Sequence, residues 1–160
     1  MEQAIEQYKL EEIEGMFVTG VTSDLFPDAW PFVKDHLYRG LEHSYGELGL
    51  DDIYDALKDK RMQLWIAVER GTDDIVASMV TEIVQYPKIK VARLVVVGGT
   101  HLEDWCPFMN TIMDWAKSKG CTRVEGWARD GWVRVLKEYG FKKLYNLVAV
   151  EIEERNYELN

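Results

Sequence analysis

The stretch MQLWIAVERGTDDIVASMVTEIVQYPKIKVARLVVVG, residues 62–98, contains three consecutive β-patterned runs. The runs 62–69 and 75–86 are rich in β-branched and aromatic residues and flank the turn residues GTDD, a pattern that predicts a β-hairpin. Pro87 ends the second run. The run 90–98 is almost uninterruptedly apolar, which is typical of a central strand covered on both faces. Three strands in succession therefore form the middle of the predicted sheet.

Two helices and a strand are predicted before this stretch. FVTGV at 17–21 reads as a short strand, whereas residues 1–15 are compatible with a strand or a short helix. Pro27 opens the first helix as a first-turn proline, and apolar residues recur at helical spacing to about Ser44. Asp51 or Asp52 is expected to cap the second helix, which is short.

Helices and strands alternate after the stretch. A helix capped by Asp104 runs to Gly120, a strand follows at 121–128, a helix capped by Asp130 ends at Gly140, and 141–152 is the last predicted strand. The order is β α α β β β α β α β. It predicts an α/β (α+β) fold with a mixed, mostly antiparallel twisted sheet of six to seven strands and about four helices on both faces.

The acidity of the chain lies mainly at its two ends. The 160 residues have a formal net charge of −9, of which residues 1–15 contribute −4 and residues 151–160 contribute −3. We interpret 1–160 as one domain with two acidic terminal arms. The charge argues against nucleic acid or an anionic membrane surface as a partner, because both require an excess of Lys and Arg. The basic segment 117–143 has a local charge of +5 and suits a smaller anion or an acidic protein surface.

The cysteines and histidines suggest no metal or disulfide site. Cys106 and Cys121 lack a CxxC partner and are expected to be reduced, and the N-terminal residues lack the apolar run of a secretory leader. The expected location is therefore the cytoplasm. The three histidines are dispersed, and His36 and His43 are expected at the surface beside charged residues.

Three segments resemble the GNAT (Gcn5-related N-acetyltransferase) family. WIAVERGTDDIVASMVTEI at 65–83 is similar to the central hairpin of that family, and DWAKSKGCTRVE at 114–125 to the exit of its central helix into the fifth strand. VLKEYGFKKL at 135–144 resembles its "Y.k.GF" signature. The resemblance covers about residues 17–152 and implies the GNAT fold.

A subgroup encoded by tailed bacteriophages shows further similarity. Its features correspond here to Gln63–Leu64–Trp65, the segment 81–87, Gly98–Gly99 followed by Trp105, and Gly131–Trp132. The resemblance implies a phage protein that is present in the host cytoplasm or in the virion.

The family resemblance implies acetyl-CoA as cofactor, bound by a Q/R-x-x-G-x-G/A loop after the fourth strand. The equivalent stretch VVVGGTHLEDWCPF, 95–108, lacks that spacing and places two acids and a proline where phosphate donors are needed. The candidates for a divergent cofactor site are residues of this strand and loop, together with two arginines from the 117–143 segment. These candidates are Val97, Gly98, Gly99, Thr100, Trp105, Arg129 and Arg134.

The catalytic candidates are also displaced from the family pattern. The tyrosine that protonates the leaving thiolate would lie four residues before Gly140, where this chain has Leu136, so Tyr139 is the nearest candidate acid. The fourth strand contains no carboxylate. Glu82 on the strand before it and Glu125 on the strand after it are therefore the candidate bases.

Two functions stay open from the sequence. The first is an acetyl-CoA-dependent N-acyltransferase that acts on a small amine, a protein N-terminus or a lysine. The second is a catalytically inactive GNAT-fold phage protein, a pseudoenzyme that serves as a virion component or binds a host factor. Because the cofactor loop and the tyrosine both depart from the family pattern, the sequence does not distinguish an active enzyme from an inactive one.

Overall fold

The three predicted central strands lie side by side in one sheet of the computed structural model, which describes residues 11–13, 15–100 and 108–152. Neighbouring strands pair antiparallel except for the last two, which are parallel. The strands lie in chain order: β1 (Glu11–Ile13), β2 (Met16–Val21), β3 (Gln63–Glu69), β4 (Ile75–Gln85), β5 (Lys90–Gly99) and β6 (Arg123–Gly126).

The hairpin between β3 and β4 forms as predicted. The Glu69 N–H donates to the Asp74 carbonyl oxygen at 2.8 Å and closes the turn. Gly71 and Asp73 both have positive φ, +96° and +59°. Glycine and aspartate adopt this conformation more easily than most residues, so the turn chemistry determines the register of the two strands.

Four α-helices are present among the described residues, and a single 3-10 turn, Lys137–Tyr139, follows the last of them. Pro27 lies in the first turn of the first helix, as predicted. Asp52 does not cap the second helix directly. Its carboxylate accepts the N–H of the N-cap residue Gly49 at 2.9 Å. The helices are α1 (Phe26–Leu41), α2 (Leu50–Lys58), α3 (Phe108–Ser118) and α4 (Asp130–Leu136).

Apolar side chains fill a core layer on each face of the sheet, which confirms helices on both faces. Val33 and Leu37 of α1 pack with Leu64 and Val80 of the sheet. On the opposite face Trp65 contacts Trp115 of α3 edge to face, with ring centroids 5.2 Å apart. Alternate residues of β3 therefore enter opposite layers, as the two-residue period of a strand requires.

The largest error of the fold prediction from sequence concerns the last strand. Residues 141–152 form no helix, turn or strand. The described sheet has six strands: five lie at predicted positions, and β1 lies within residues 1–15, where a strand or a short helix was expected. The error is therefore the predicted strand at 141–152. A β-pattern in the sequence shows only that a segment is suited to a sheet. Whether a neighbouring strand is available for it to pair with depends on the tertiary structure.

Helix α1 crosses β5 with almost no space between the two backbones. A Cβ atom on Gly98 would overlap the backbone carbonyl of His36, and one on Gly40 would overlap the carbonyl oxygen of Val97. Glycine at both positions therefore permits α1 to lie directly on the sheet.

We expect Gly98→Ala to lower the free energy of unfolding by at least the ~1–3 kcal/mol typical of overpacked cores, because the new methyl group meets rigid backbone. Gly131→Ala is the matched control: nothing lies within 4 Å of its added Cβ, and Gly131 is helical. This control should stabilise the protein by about 0.5–1 kcal/mol. Urea unfolding followed by circular dichroism measures both changes, and wild-type stability of Gly98→Ala would contradict the close crossing.

Candidate functional site

Strands β5 and β6 pair over only four residues and then separate. The parallel ladder runs from Val91 opposite Arg123 to Leu94 opposite Gly126. Beyond that point residues 95–99 of β5 continue along β4, and no described strand pairs with their other side. The result is a slot at the carboxyl ends of two parallel strands, which is where open α/β sheets bind ligands.

A β-bulge lies at the start of this slot. Val80 of β4 is opposite Val96, whereas its neighbour Thr81 is opposite Leu94, so Val95 has no counterpart on β4. A bulge bends its strand, increases the local twist and leaves one residue out of the ladder. The bend at Val95 therefore coincides with the separation of β5 from β6.

Three charged residues lie next to one another across the three strands at the closed end of the slot. The register places Arg93 of β5 opposite Glu82 of β4 and opposite Glu125 of β6. Arg93 forms ion pairs with both carboxylates, at 3.3 Å to Glu82 and 3.6 Å to Glu125. All three side chains are half-buried, so the pairs are screened less than pairs at the surface.

Two aromatic residues complete this group. The Tyr86 hydroxyl donates to a Glu125 carboxylate oxygen at 2.9 Å and accepts from Arg93 at 2.8 Å. The Trp127 ring covers the guanidinium at 4.8 Å and remains mostly exposed. We call Glu82, Tyr86, Arg93, Glu125 and Trp127 the arginine cluster. Sequence analysis identified its two glutamates separately but missed the arginine and the tyrosine between them.

The charge of Arg93 is secured by these contacts. Burial by itself would lower the pKa of its guanidinium, but the hydrogen bond with Tyr86 and the two carboxylates outweigh burial and raise the pKa. The Arg93 Nε atom is buried and has no hydrogen-bond partner among the described residues. The cluster therefore holds a permanent cation between two glutamates, with one donor left unsatisfied.

The predicted glycines of the cofactor loop belong to a strand. Gly98 and Gly99 continue the β5 ladder opposite Ser78 and Ala77, and the Thr100 N–H donates to the Val76 carbonyl oxygen at 2.9 Å. Gly99 has φ +153°, and a Cβ there would overlap the backbone of β4. Close packing against neighbouring backbone therefore explains glycine at both positions. A role of Val97, Gly98 and Gly99 in binding a cofactor stays a prediction.

The other described candidates, Tyr139, Arg129 and Arg134, come from the part of the chain that follows β6. Tyr139 belongs to the 3-10 turn, where it is half-buried against the core layer of α3 and α4. Arg129 precedes α4, Arg134 lies on it, and both are exposed. The candidate Trp105 falls outside the described residues, as does the predicted helix cap Asp104.

His36 was predicted to lie at the surface, and this is wrong. The α1–β5 crossing brings its ring Nδ1 within 3.2 Å of the buried Ser78 hydroxyl, and the two side chains form a hydrogen bond. Burial lowers the pKa of His36, and Arg39 lowers it further, against a smaller opposing effect of Asp35. His43 is exposed, as expected.

Metal and membrane sites are not evident in the part of the chain that the structure describes. Within 11–13, 15–100 and 108–152, no three His, Cys, Asp or Glu side chains lie together as metal ligands. No helix in the same residues is long and apolar enough to span a bilayer. Cys121 is buried and carries a free thiol.

Comparison with known proteins identifies the fold. No protein-family model and no curated protein matches the sequence. The structure superposes on a probable acetyltransferase with a TM-score of 0.65 and 12% identity, over 86% of this chain and 99% of that one. The chain has the GNAT fold.

Two further GNAT structures have informative ligands. An aminoglycoside acetyltransferase from an uncultured soil sample, in complex with sisomicin, matches with a TM-score of 0.66 and 10% identity, over 88% of this chain and 97% of its own. A predicted acetyltransferase from Clostridium acetobutylicum, with acetyl-CoA, matches with a TM-score of 0.64 and 15% identity, over 89% and 99%. At these identities the likeness establishes the fold, while activity is argued from the site.

Arg93→Met should destabilise the fold by about 1–3 kcal/mol, because it leaves two half-buried carboxylates without their shared cation. The matched control is Arg61→Met, whose ion pair with Asp59 is exposed and should contribute no more than about 1 kcal/mol. Denaturant midpoints of the two variants provide the comparison. Equal losses would show that the Arg93 pairs are no stronger than surface pairs.

The half-buried His36 should make stability depend on pH. Because its folded-state pKa lies below the unfolded value of 6.5, the unfolded chain binds the proton more tightly. This contribution is therefore fully present above pH 6.5 and is lost as the pH falls through the folded pKa. His36→Gln should flatten this part of the stability–pH curve, measured by denaturant unfolding between pH 7.5 and 5, where one proton contributes at most about 1.4 kcal/mol per pH unit. His43→Gln is the control that should retain the wild-type slope.

Proposed function

We propose that this protein is an acyl-CoA-dependent N-acyltransferase. The observation that carries the proposal is the separation of β5 from β6 after Leu94 and Gly126, with the bulge at Val95 at its start. In open α/β sheets, ligands bind in the crevice at the carboxyl ends of neighbouring parallel strands.

The slot suits the cofactor that the fold suggests. The free side of residues 95–99 offers backbone N–H and C=O groups to an extended ligand rich in amides, as the pantetheine arm of a coenzyme A molecule is. The exposed Arg129 and Arg134 can reach its phosphates from the side of α4. When bound, acetyl-CoA would supply an acetyl group activated as a thioester.

Glu82 is the better candidate for the general base. Its carboxylate forms one ion pair among the described residues, with Arg93. Glu125 is engaged by Arg93, Arg123 and Tyr86. The less engaged carboxylate can accept a proton from an incoming amine, while the more engaged one holds Arg93 in place. Tyr139 stays the proposed donor of a proton to the thiolate, and a small amine, a protein N-terminus or a lysine stays the proposed acceptor.

A second candidate is a GNAT-fold binding protein without transferase activity. Gly98 and Gly99 are explained by packing alone, and both candidate bases are paired to the same arginine. In this second candidate, the protein is a phage protein that assembles into the virion or binds a host factor.

Calorimetry with acetyl-CoA distinguishes the two candidates. We expect wild-type protein to bind acetyl-CoA and CoA with micromolar affinity, whereas absence of heat at millimolar ligand would overturn the acyltransferase and leave the binding protein. Glu82→Gln should retain binding, because the base touches the amine and not the cofactor. It should lose about 100-fold or more of the rate of CoA release, measured with a thiol reagent and a panel of amines.

The exposed Glu42 at the end of α1 offers a matched control for this experiment. Glu42→Gln removes the same charge at an exposed residue outside the arginine cluster and should leave the rate unchanged. An equal rate loss in both variants would assign the effect to net charge, and an unchanged rate in Glu82→Gln would remove Glu82 as the base.

A further inference from the structure

Three buried polar side chains form a hydrogen-bonded network between β3 and β4. The Thr81 hydroxyl accepts from the Trp65 indole N–H at 3.0 Å and donates to the Gln63 side-chain oxygen at 2.9 Å. Thr81 and Trp65 are completely buried, and Gln63 is nearly so. We call these three residues the Thr81 network. A hydroxyl that donates and accepts at once is held in one orientation, and the branched side chain of threonine has few rotamers to begin with.

The Thr81 network ties β4 to the elements around it. The register places Gln63 of β3 opposite Thr81 of β4, and Trp65 lies two residues further along β3 on the same face. The Trp65 ring also packs edge to face on Trp115 of α3. Thr81 is therefore fixed both to the neighbouring strand and, through Trp65, to the helix that covers this face of the sheet.

Glu82, the next residue after Thr81, emerges on the opposite face of the sheet. Met79 and Ile83 pack in the core layer of α3 and α4, whereas Val80 packs in the layer of α1 and α2. Because side chains alternate along a strand, Thr81 belongs to the first of these faces and Glu82 to the second. A fully buried hydroxyl and the candidate base are therefore neighbours on opposite sides of one strand.

The β-bulge makes this point of the β4–β5 ladder irregular. Val95 has no counterpart on β4, and Thr81 is the first β4 residue beyond the irregularity, opposite Leu94. A bulge disrupts the ladder locally and increases the twist, so backbone pairing alone defines the direction of the next side chain less well. The Thr81 network supplies a side-chain anchor at the residue where the ladder is interrupted.

We propose that Thr81 is a positioning residue for Glu82: through the Thr81 network it holds the β4 backbone so that the Glu82 carboxylate stays at Arg93. Arg93 fixes the carboxylate on its own face of the sheet, at 3.3 Å, and the Thr81 network fixes its backbone from the other face. Misplacement of a reacting group by about 1 Å can cost about 100-fold in rate, so a base is well served by support from both faces. The effect on catalysis rests on the proposed function, in which Glu82 is the base, whereas the effect on the Glu82–Arg93 pair does not.

A double-mutant cycle on stability tests the positioning without any need for activity. Thr81→Val removes the hydroxyl and keeps the side-chain shape, and Glu82→Gln weakens the pair with Arg93. If Thr81 holds Glu82 at Arg93, the double variant should lose less in its urea midpoint than the two single losses combined. Thr22→Val, at a buried threonine in the loop before α1, is the matched control and should be additive with Glu82→Gln. Additive losses in the Thr81 cycle would overturn the proposal.

The rate of CoA release tests the consequence for catalysis. Thr81→Val should lower kcat by about 10- to 100-fold and leave acetyl-CoA binding in calorimetry unchanged, because the network positions the base and not the cofactor. Thr81→Ser keeps the hydroxyl and should recover most of the rate, and Thr22→Val should retain it. In the Glu82→Gln background, Thr81→Val should cause little further loss, since the group that it positions has already been removed.

An unchanged kcat in Thr81→Val, or a full further loss in the Glu82→Gln background, would overturn the proposal. If Thr81→Val does not fold, Trp65→Phe removes the indole donor from the same network and takes its place in both cycles. Wild-type protein that fails to bind acetyl-CoA would overturn the proposed function instead, and the stability cycle would still decide whether Thr81 positions Glu82.

Discussion

The unequal pairing of β5 is the constraint on which the rest of the structure depends. On one side β5 follows β4 along its whole length, and on the other it follows β6 for four residues only. The bulge at Val95 bends the strand where the second ladder stops. The long ladder also places Gly98 under α1, so the same strand positions a helix on one face and opens a slot at its far edge.

The arginine cluster owes its composition to that register. Glu82, Arg93 and Glu125 occupy three neighbouring strands at one level, just before the slot opens. A lone charge at this depth would be costly, but two carboxylates, a phenol and an aromatic face compensate Arg93. Clusters of this kind serve structure in some proteins and catalysis in others, and the proposed catalytic role rests on the slot beside this one.

Apolar burial is uneven between the two ends of the sheet. The layers around Trp65 and Val80 are fully buried, whereas residues 141–152 place similar side chains in solvent. The three-residue strand β1 covers the far edge, and no described strand covers β6. Exposed apolar surface and unpaired backbone both favour association.

Local patterns in the sequence determined the hairpin, the apolar run of β5 and the buried stripes of the helices, because these depend on residues close together in the chain. The sequence also offered Glu82 and Glu125 as separate carboxylates. Only the tertiary structure joined them through Arg93 and Tyr86, placed the half-buried His36 against Ser78, and left 141–152 unpaired. Cross-strand register and helix crossing bring together residues distant in sequence, and no local pattern encodes such a neighbour.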